Sequence, residues 1–237
     1  MKKKTAENNP SINGAQKKPA QFATVEAYKT IRTNLLFLLS QSKEKSITVS
    51  SAGVSEGKST SSINIAVVFS QLGRRVLLID ADMRRPSVHK NLHISNKNGL
   101  ASLLAGFSTL EESTINVGDN LDVITAGPTS PNPSELLGSQ QMADLLEKLN
   151  EIYDYIIIDT PPVNTVSDAL IVAPKTSGIL FVVRDYVTPH AEFQKALSSI
   201  EFAGVRMLGV VLNASAANNT KLSYKYNPYH YDSYQGE

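Results

Sequence analysis

Cysteine is absent from the 237 residues, which excludes a disulfide scaffold, a thiolate metal site and a cysteine nucleophile. An excess of charge of either sign is also missing. With 23 Lys plus Arg against 22 Asp plus Glu, the formal net charge of +1 sets up no field that would mark nucleic acid as a partner. Long apolar runs are lacking as well: the stretch at 155–158 falls far short of the roughly 18–20 residues that span a bilayer. The start MKKKTAENNP is basic but has no apolar core of a secretory signal. Membrane association is therefore expected through a partner or a surface.

What is present is enough hydrophobic sequence, 41%, for one substantial core or two small ones. Residues 1–20 hold five lysines and one glutamate among small and polar residues. Such a segment cannot bury enough area to offset the entropy of ordering itself, and it is read as a flexible basic arm. From Thr24 the spacing of Ala27, Ile31, Leu35 and Leu38 predicts an amphipathic helix, with Glu26, Lys29 and Arg32 as a charged stripe beside the apolar face. That stripe is either a solvated face with local ion pairs or a subunit contact.

Beyond it, short β-branched runs alternate with helical patterns, the signature of a mostly parallel central sheet flanked by helices in an α/β fold. Strands are predicted at 47–51, 75–80, 121–127, 153–162, 177–183 and 207–213. Helices are predicted at 59–72, 98–106, 134–149, from about 167, and at 189–200, with a polar connection after the second strand. One domain over 21–213 accounts for the pattern, and 214–237 is read as a flexible tail. Aromatic residues are only 7% of the chain, yet five of its nine tyrosines, Tyr224, Tyr226, Tyr229, Tyr231 and Tyr234, crowd into that tail. The tail is either a flexible or strand-pairing segment, or a set of accessible hydroxyls for a modifying enzyme.

The segment ITVSSAGVSEGKST places EGKST between a predicted strand and a predicted helix, the context in which a turn's N–H groups and a helix N-terminus surround phosphate oxygens. This defines a P-loop nucleotide-binding fold, with Gly53, Glu56, Gly57, Lys58, Ser59 and Thr60 as the cofactor-binding loop. Lys58 spans phosphates and the Ser59 hydroxyl completes a Mg²⁺ shell. Ala52 stands where the general pattern has its first glycine, and Gly53 follows one residue later. Asp80 and Asp82 after one strand and Asp159 after another are expected to meet the loop at the carboxyl edge of the sheet. Mg²⁺ takes six oxygens and keeps waters, so Ser59, Asp82 and Asp159 are its expected protein groups, Asp159 through water. Lys58 would stabilise the phosphoryl in flight, and Asp80 or Asp82 would accept the proton of an attacking oxygen. Asn213 at the last strand end is either a base-edge contact or a turn cap. Arg84 and Arg85 are read as phosphate or neighbour contacts or a solvated turn, and the histidines at 89, 93, 190 and 230 have no metal-ligand spacing.

In order along residues 24–237, EAYKTIRTN, SAGVSEGKST, VLLIDADMRRP, LDVITAGPTSPNPSELL, DYIIIDTPPVNTVSDA, LGVVLN and the Tyr-rich end resemble the bacterial tyrosine kinases of capsule and exopolysaccharide synthesis, in the separate cytoplasmic form of Gram-positive bacteria. The resemblance implies ATP and Mg²⁺ as cofactors and autophosphorylation of the tail tyrosines between subunits. It implies a kinase domain that begins with an oligomerisation helix, self-association into a ring through Glu26, Lys29 and Arg32, and regulation of polysaccharide synthesis and export. A membrane-embedded export adaptor that activates the kinase and a cognate protein-tyrosine phosphatase are its implied partners, with a cytoplasmic location peripheral to the membrane. Lys29 departs from the family's arginine, and Val54 and Ser55 stand at the family's Pro and Gly places. The competing readings are a partitioning or division-site ATPase, whose relatives carry a lysine where Gly53 stands, and a non-catalytic nucleotide-controlled scaffold.

Overall fold

The computed structural model describes residues 19–42 and 44–213. Its strands are β1 (Ser46–Ser51), β2 (Val76–Asp80), β3 (Thr114–Gly118), β4 (Leu121–Ile124), β5 (Tyr155–Asp159), β6 (Ile179–Arg184) and β7 (Met207–Asn213). They form one sheet in the order β3-β4-β2-β5-β1-β6-β7, parallel except for β3, which runs antiparallel to β4. The helices are α1 (Pro19–Leu39), α2 (Lys58–Ser70), α3 (Val88–Leu92), α4 (Leu100–Leu104), α5 (Leu110–Ser113), α6 (Pro133–Gly138), α7 (Gln140–Ile152), α8 (Asp168–Val172) and α9 (His190–Phe202).

The central strands β1, β2 and β5 are buried along their whole length, β2 and β5 as the apolar runs expected of strands covered on two faces and β1 with Ser and Thr among its buried residues. Alternation divides them. Val76, Leu78 and Ile157 pack with Leu35 and Leu39 of α1 and Ile65 and Phe69 of α2. Their neighbours Leu77, Ile79, Ile156 and Ile158 pack on the opposite face with Leu104, Leu137, Met142, Leu146 and Leu149. Each such buried side chain contributes about 1.5–3 kcal/mol relative to exposure. Beside β6, Phe181 meets Ala196 and Ile200 of α9 in a third cluster.

Four local expectations are corrected. Strand β3 lies outside the six strands expected, because TINVG is short, half-exposed and sits at the sheet edge. The single helix expected at 134–149 breaks at Ser139, whose extended backbone and hydroxyl, accepting from the Met142 N–H at 3.3 Å, start α7 afresh. The connection after β2 contains α3. On α1 the buried face is Leu35 and Leu39 with Tyr28, Ile31 and Leu38 against it, whereas Ala27 is exposed. No described helix is long and apolar enough to cross a membrane.

Candidate active site

Register brings the site together. Asp80 and Asp159 are paired at the C-terminal ends of β2 and β5, and Val49 of β1 pairs with Asp159. The β1–α2 loop therefore opens directly above both carboxylates. Gly57 ends that loop with φ 94, and Lys58 begins α2. A Cβ on Gly57 would sit 2.1 Å from Asn213 Nδ2, so glycine is required both by its left-handed backbone and by the close approach. Gly57→Ala should weaken Mg-ADP binding about 5- to 30-fold in a calorimetric titration, the αL conformation alone costing a Cβ-bearing residue about 1–2 kcal/mol.

The Lys58 ammonium lies 2.9 Å from Asp82 Oδ2, 3.3 Å from Ser59 Oγ and 3.6 Å from Asp159 Oδ2. Burial pulls its pKa down, but the carboxylates of Asp159, Asp82 and Asp80 outweigh burial and leave it above its ordinary value. Lys58 is therefore a fixed cation. Asp159 is completely buried, and burial raises its carboxyl against the opposing pull of Lys58 and of the Ser59 and Ser62 hydroxyls. Its Oδ1 accepts from Ser62 Oγ at 3.0 Å, while its Oδ2 is buried without a hydrogen-bond partner.

Asp80 and Asp82, indistinguishable in sequence, are set apart by what their oxygens touch. Asp80 Oδ1 accepts the Asp82 N–H at 3.1 Å, and its Oδ2 accepts the N–H groups of Ser87 at 3.2 Å and Val88 at 3.1 Å. It thus ties down the loop that carries Asp82. Asp82 itself lines the cleft, with Oδ1 on the Arg85 N–H at 2.9 Å and Oδ2 on Lys58. Burial, then the nearby Asp159 charge, pushes the Asp80 carboxyl up to about 7, against the Val88 N–H and Lys58. The folded chain consequently keeps a proton that the unfolded chain has already lost. Unfolding free energy should fall as pH rises from the ordinary value of 3.8 through about 7, and urea titrations across that window should show Asp80→Asn flattening the slope.

The cleft, about 440 Å³, is lined by the loop residues Gly57, Lys58, Ser59 and Thr60, by Asp82 and Arg85, and by Pro161 and Pro162 after β5. Its residues fit a Mg-nucleotide. The phosphate end has loop amides and a fixed cation, and the metal would have the Ser59 hydroxyl together with Asp159 Oδ2, which has no hydrogen bond and faces Lys58 at 3.6 Å. No three His or acidic side chains form a metal cage among the described residues. Mg²⁺ seldom needs one, since it fills its octahedron with phosphate oxygens and waters.

The other expected site residues fall as follows. Gly53 and Glu56 brace the loop from inside: Glu56 is buried, and its Oε2 accepts the Ala52 N–H at 3.1 Å. A Cβ on Gly53 would approach Glu56 Oε1 to 3.3 Å. Asn213 Nδ2 donates to the Glu56 carbonyl at 3.0 Å, a contact of the turn-capping kind. On α1, Glu26 and Lys29 pair with each other at 2.7 Å, and Arg32 Nη1 donates to the Val68 carbonyl of α2 at 2.7 Å. In the isolated chain that arginine is an internal contact. Tyr224, Tyr226, Tyr229, Tyr231 and Tyr234 lie outside the described residues, as do the tail from 214 and residues 1–18 of the arm expected over 1–20, whose last two residues instead begin α1.

Sequence reasoning missed one group. Arg84 forks onto Asp168, with Nε at 2.8 Å from Oδ2 and Nη2 at 3.2 Å from Oδ1, and Ser134 Oγ joins both. Asp168 is fully buried at the start of α8, so the Asp82 loop, α6 and α8 are locked together. The acidic residue in SDA, a helix start ahead of an apolar run, was the available signal.

A mostly parallel sheet with a lysine-bearing loop at its carboxyl edge, a helix N-terminus behind it and carboxylates opposite defines a P-loop nucleotide-binding protein. Residues 44–183 match the family model described as an AAA domain. The chain is 40% identical over 189 residues to the tyrosine-protein kinase YwqD of Bacillus subtilis, covering 79% of this chain and 80% of that one. Among solved structures it is similar to the kinase domain of the Escherichia coli tyrosine kinase ETK, with 35% identity, TM-score 0.78 and coverage of 88% of this chain and 80% of that one. It is also similar to the chimerical protein CapA2B2, with 41% identity, TM-score 0.76 and coverage of 79% and 83%. The chain belongs to the family of bacterial P-loop tyrosine-protein kinases.

Proposed function

We propose that this chain moves the terminal phosphoryl group of Mg-ATP to tyrosine hydroxyls of its own C-terminal cluster, Tyr224, Tyr226, Tyr229, Tyr231 and Tyr234, on a neighbouring copy, and that this controls capsule or exopolysaccharide synthesis and export. The observation that carries the reading is the Lys58 ammonium, held by Asp82 and Asp159 at the mouth of a glycine-ended loop. Bound Mg²⁺ would withdraw charge from the phosphoryl oxygens. Lys58 and the loop amides stabilise the charge that spreads over the group in transfer. Asp82, in the cleft, is the base for a phenol whose reference pKa is about 10, and Asp80 holds the Asp82 loop in place.

Glu26, Lys29 and Arg32 lie on one helix, and in this reading they serve a ring-like self-association, with Arg32 exchanging its Val68 contact for a neighbour. An export adaptor anchored in the membrane activates the kinase and recruits it to the membrane, and a protein-tyrosine phosphatase resets the tail. Each modified tyrosine adds about 1.5–2 negative charges, so a fully phosphorylated cluster repels itself and favours release of the ring. Sedimentation before and after tail phosphorylation should show smaller particles; unchanged association would remove this link.

The test incubates the purified protein and an adaptor fragment with Mg²⁺ and γ-labelled ATP, then maps label along the chain. Labelled tail tyrosines are expected. Released phosphate without protein label would instead make the chain a partitioning-type ATPase, and neither product would make it a nucleotide-controlled scaffold.

A further inference from the structure

Two consecutive carbonyls of the phosphate loop are each gripped by a side chain from a strand end. Arg184 Nη1 donates to the Ser55 carbonyl at 3.1 Å, and Asn213 Nδ2 donates to the Glu56 carbonyl at 3.0 Å. The two donors are register partners at the C-terminal ends of β6 and β7, and the Asp185 N–H closes the pair on the Asn213 carbonyl at 3.0 Å. Both positions are therefore fixed by the sheet rather than by the loop.

The loop is one that needs holding. Ser55 sits at φ 61, a left-handed conformation that a residue with a Cβ avoids, two places before Gly57 at φ 94. Val54 and Ser55 supply neither the fixed φ of a proline nor the freedom of a glycine. Because each peptide is planar and trans, pinning the carbonyls of Ser55 and Glu56 toward the strand ends turns the N–H groups of Glu56 and Gly57 the other way.

We propose that Arg184 and Asn213 are positioning residues, a clamp on two carbonyls that presets the Glu56 and Gly57 N–H groups for phosphate oxygens. The clamp stands in for the rigidity that the loop sequence lacks. Its purpose rests on the nucleotide reading above. It also explains why β7, an edge strand far in sequence from the loop, ends in an asparagine turned toward that loop.

The test uses the full chain, with Mg-ADP as probe in calorimetric titrations and hydrogen exchange of the nucleotide-free protein. Arg184→Met, which removes the donor but keeps the aliphatic stem, should weaken Mg-ADP about 3- to 10-fold, the range of one hydrogen bond. It should also speed exchange of the Ala52 and Ser61 amides while β1 and β5 stay protected. Adding Ser55→Gly, which removes the αL penalty, should recover at least half of the lost affinity on a logarithmic scale. Unchanged affinity and exchange in Arg184→Met would overturn the clamp. So would a loss that Ser55→Gly leaves intact and that comes with faster exchange throughout the sheet. If the wild-type chain failed to bind Mg-ADP while loop exchange still responded to Arg184→Met, the clamp would stand and the nucleotide reading would fall.

Discussion

Lys58→Met is expected to lower tyrosine phosphorylation of the chain by roughly 100- to 1,000-fold, the scale on which removal of one preorganised transition-state donor acts. The loss follows from the buried site, where Lys58 is the cation set against Asp80, Asp82 and Asp159. The same substitution has a consequence in the nucleotide-free protein. Breaking a buried ion pair from one side leaves carboxylates without their counter-charge and costs about 3–5 kcal/mol. Protonation relieves that cost, so the deficit in unfolding free energy should be larger at pH 8 than at pH 5. A variant that kept near-normal phosphorylation, or lost the same stability at both pH values, would contradict the assignment of Lys58 as the site's fixed cation.

The second large effect is expected from Asp159→Asn. The amide oxygen can still accept from Ser62 Oγ, but the charge on Oδ2, which has no hydrogen bond and faces Lys58 at 3.6 Å, is gone. Phosphorylation should fall on the order of 100-fold, with the Mg²⁺ requirement displaced to higher concentration. Stability should behave differently. Asp159 is fully buried, and its charge raises the pKa of Asp80, so neutralising it removes a repulsion from a crowded acidic site, while Lys58, which loses its contact at 3.6 Å, keeps Asp82 at 2.9 Å as counter-charge. The unfolding free energy of the variant should lie within about 1 kcal/mol of the wild type or above it. Inactivity without destabilisation would mark Asp159 as a residue held for its chemistry at a cost to the fold. Parallel loss of activity and stability would make it a structural residue instead.

Much of this arrangement was legible in the residues. IIID and VLLID announce buried parallel strands because every position is apolar up to the final aspartate, and a parallel sheet must put those strand ends on one edge. The convergence of Lys58, Asp82 and Asp159 follows from strand order and needs no side-chain detail. What escaped was decided by orientation or by edges. TINVG has no apolar run, since an edge strand with half-exposed faces needs none, and its pairing with β4 depends on a turn through Asn120 at φ 60. Leu136, Leu145, Leu146 and Leu149 repeat helically across Ser139, so periodicity alone could not show that this serine ends one helix and caps the next.

At the site, the division between Asp80 and Asp82 depends on which way two neighbouring carboxylates turn. The amides of Asp82, Ser87 and Val88 settle that, and they meet Asp80 only after the loop has folded. Asn213 and Arg184 lie at strand ends where ligands gather, and their reach to the loop carbonyls is set by the folded loop, not by their place in the sequence. Arg84 likewise reads as one of two exposed basic residues until Asp168 is found buried beneath it.

The central claim is that one Mg-nucleotide sits among Lys58, Ser59, Asp82 and Asp159, and the most direct measurement is a crystal structure with Mg²⁺ and a non-hydrolysable ATP analogue. The account predicts the terminal phosphate within hydrogen-bonding reach of Lys58 Nζ, the Ser59 hydroxyl on the metal and a water between that metal and Asp159 Oδ2. An analogue bound elsewhere, or a Lys58 ammonium still closed on Asp82 with no phosphate in the loop, would contradict it.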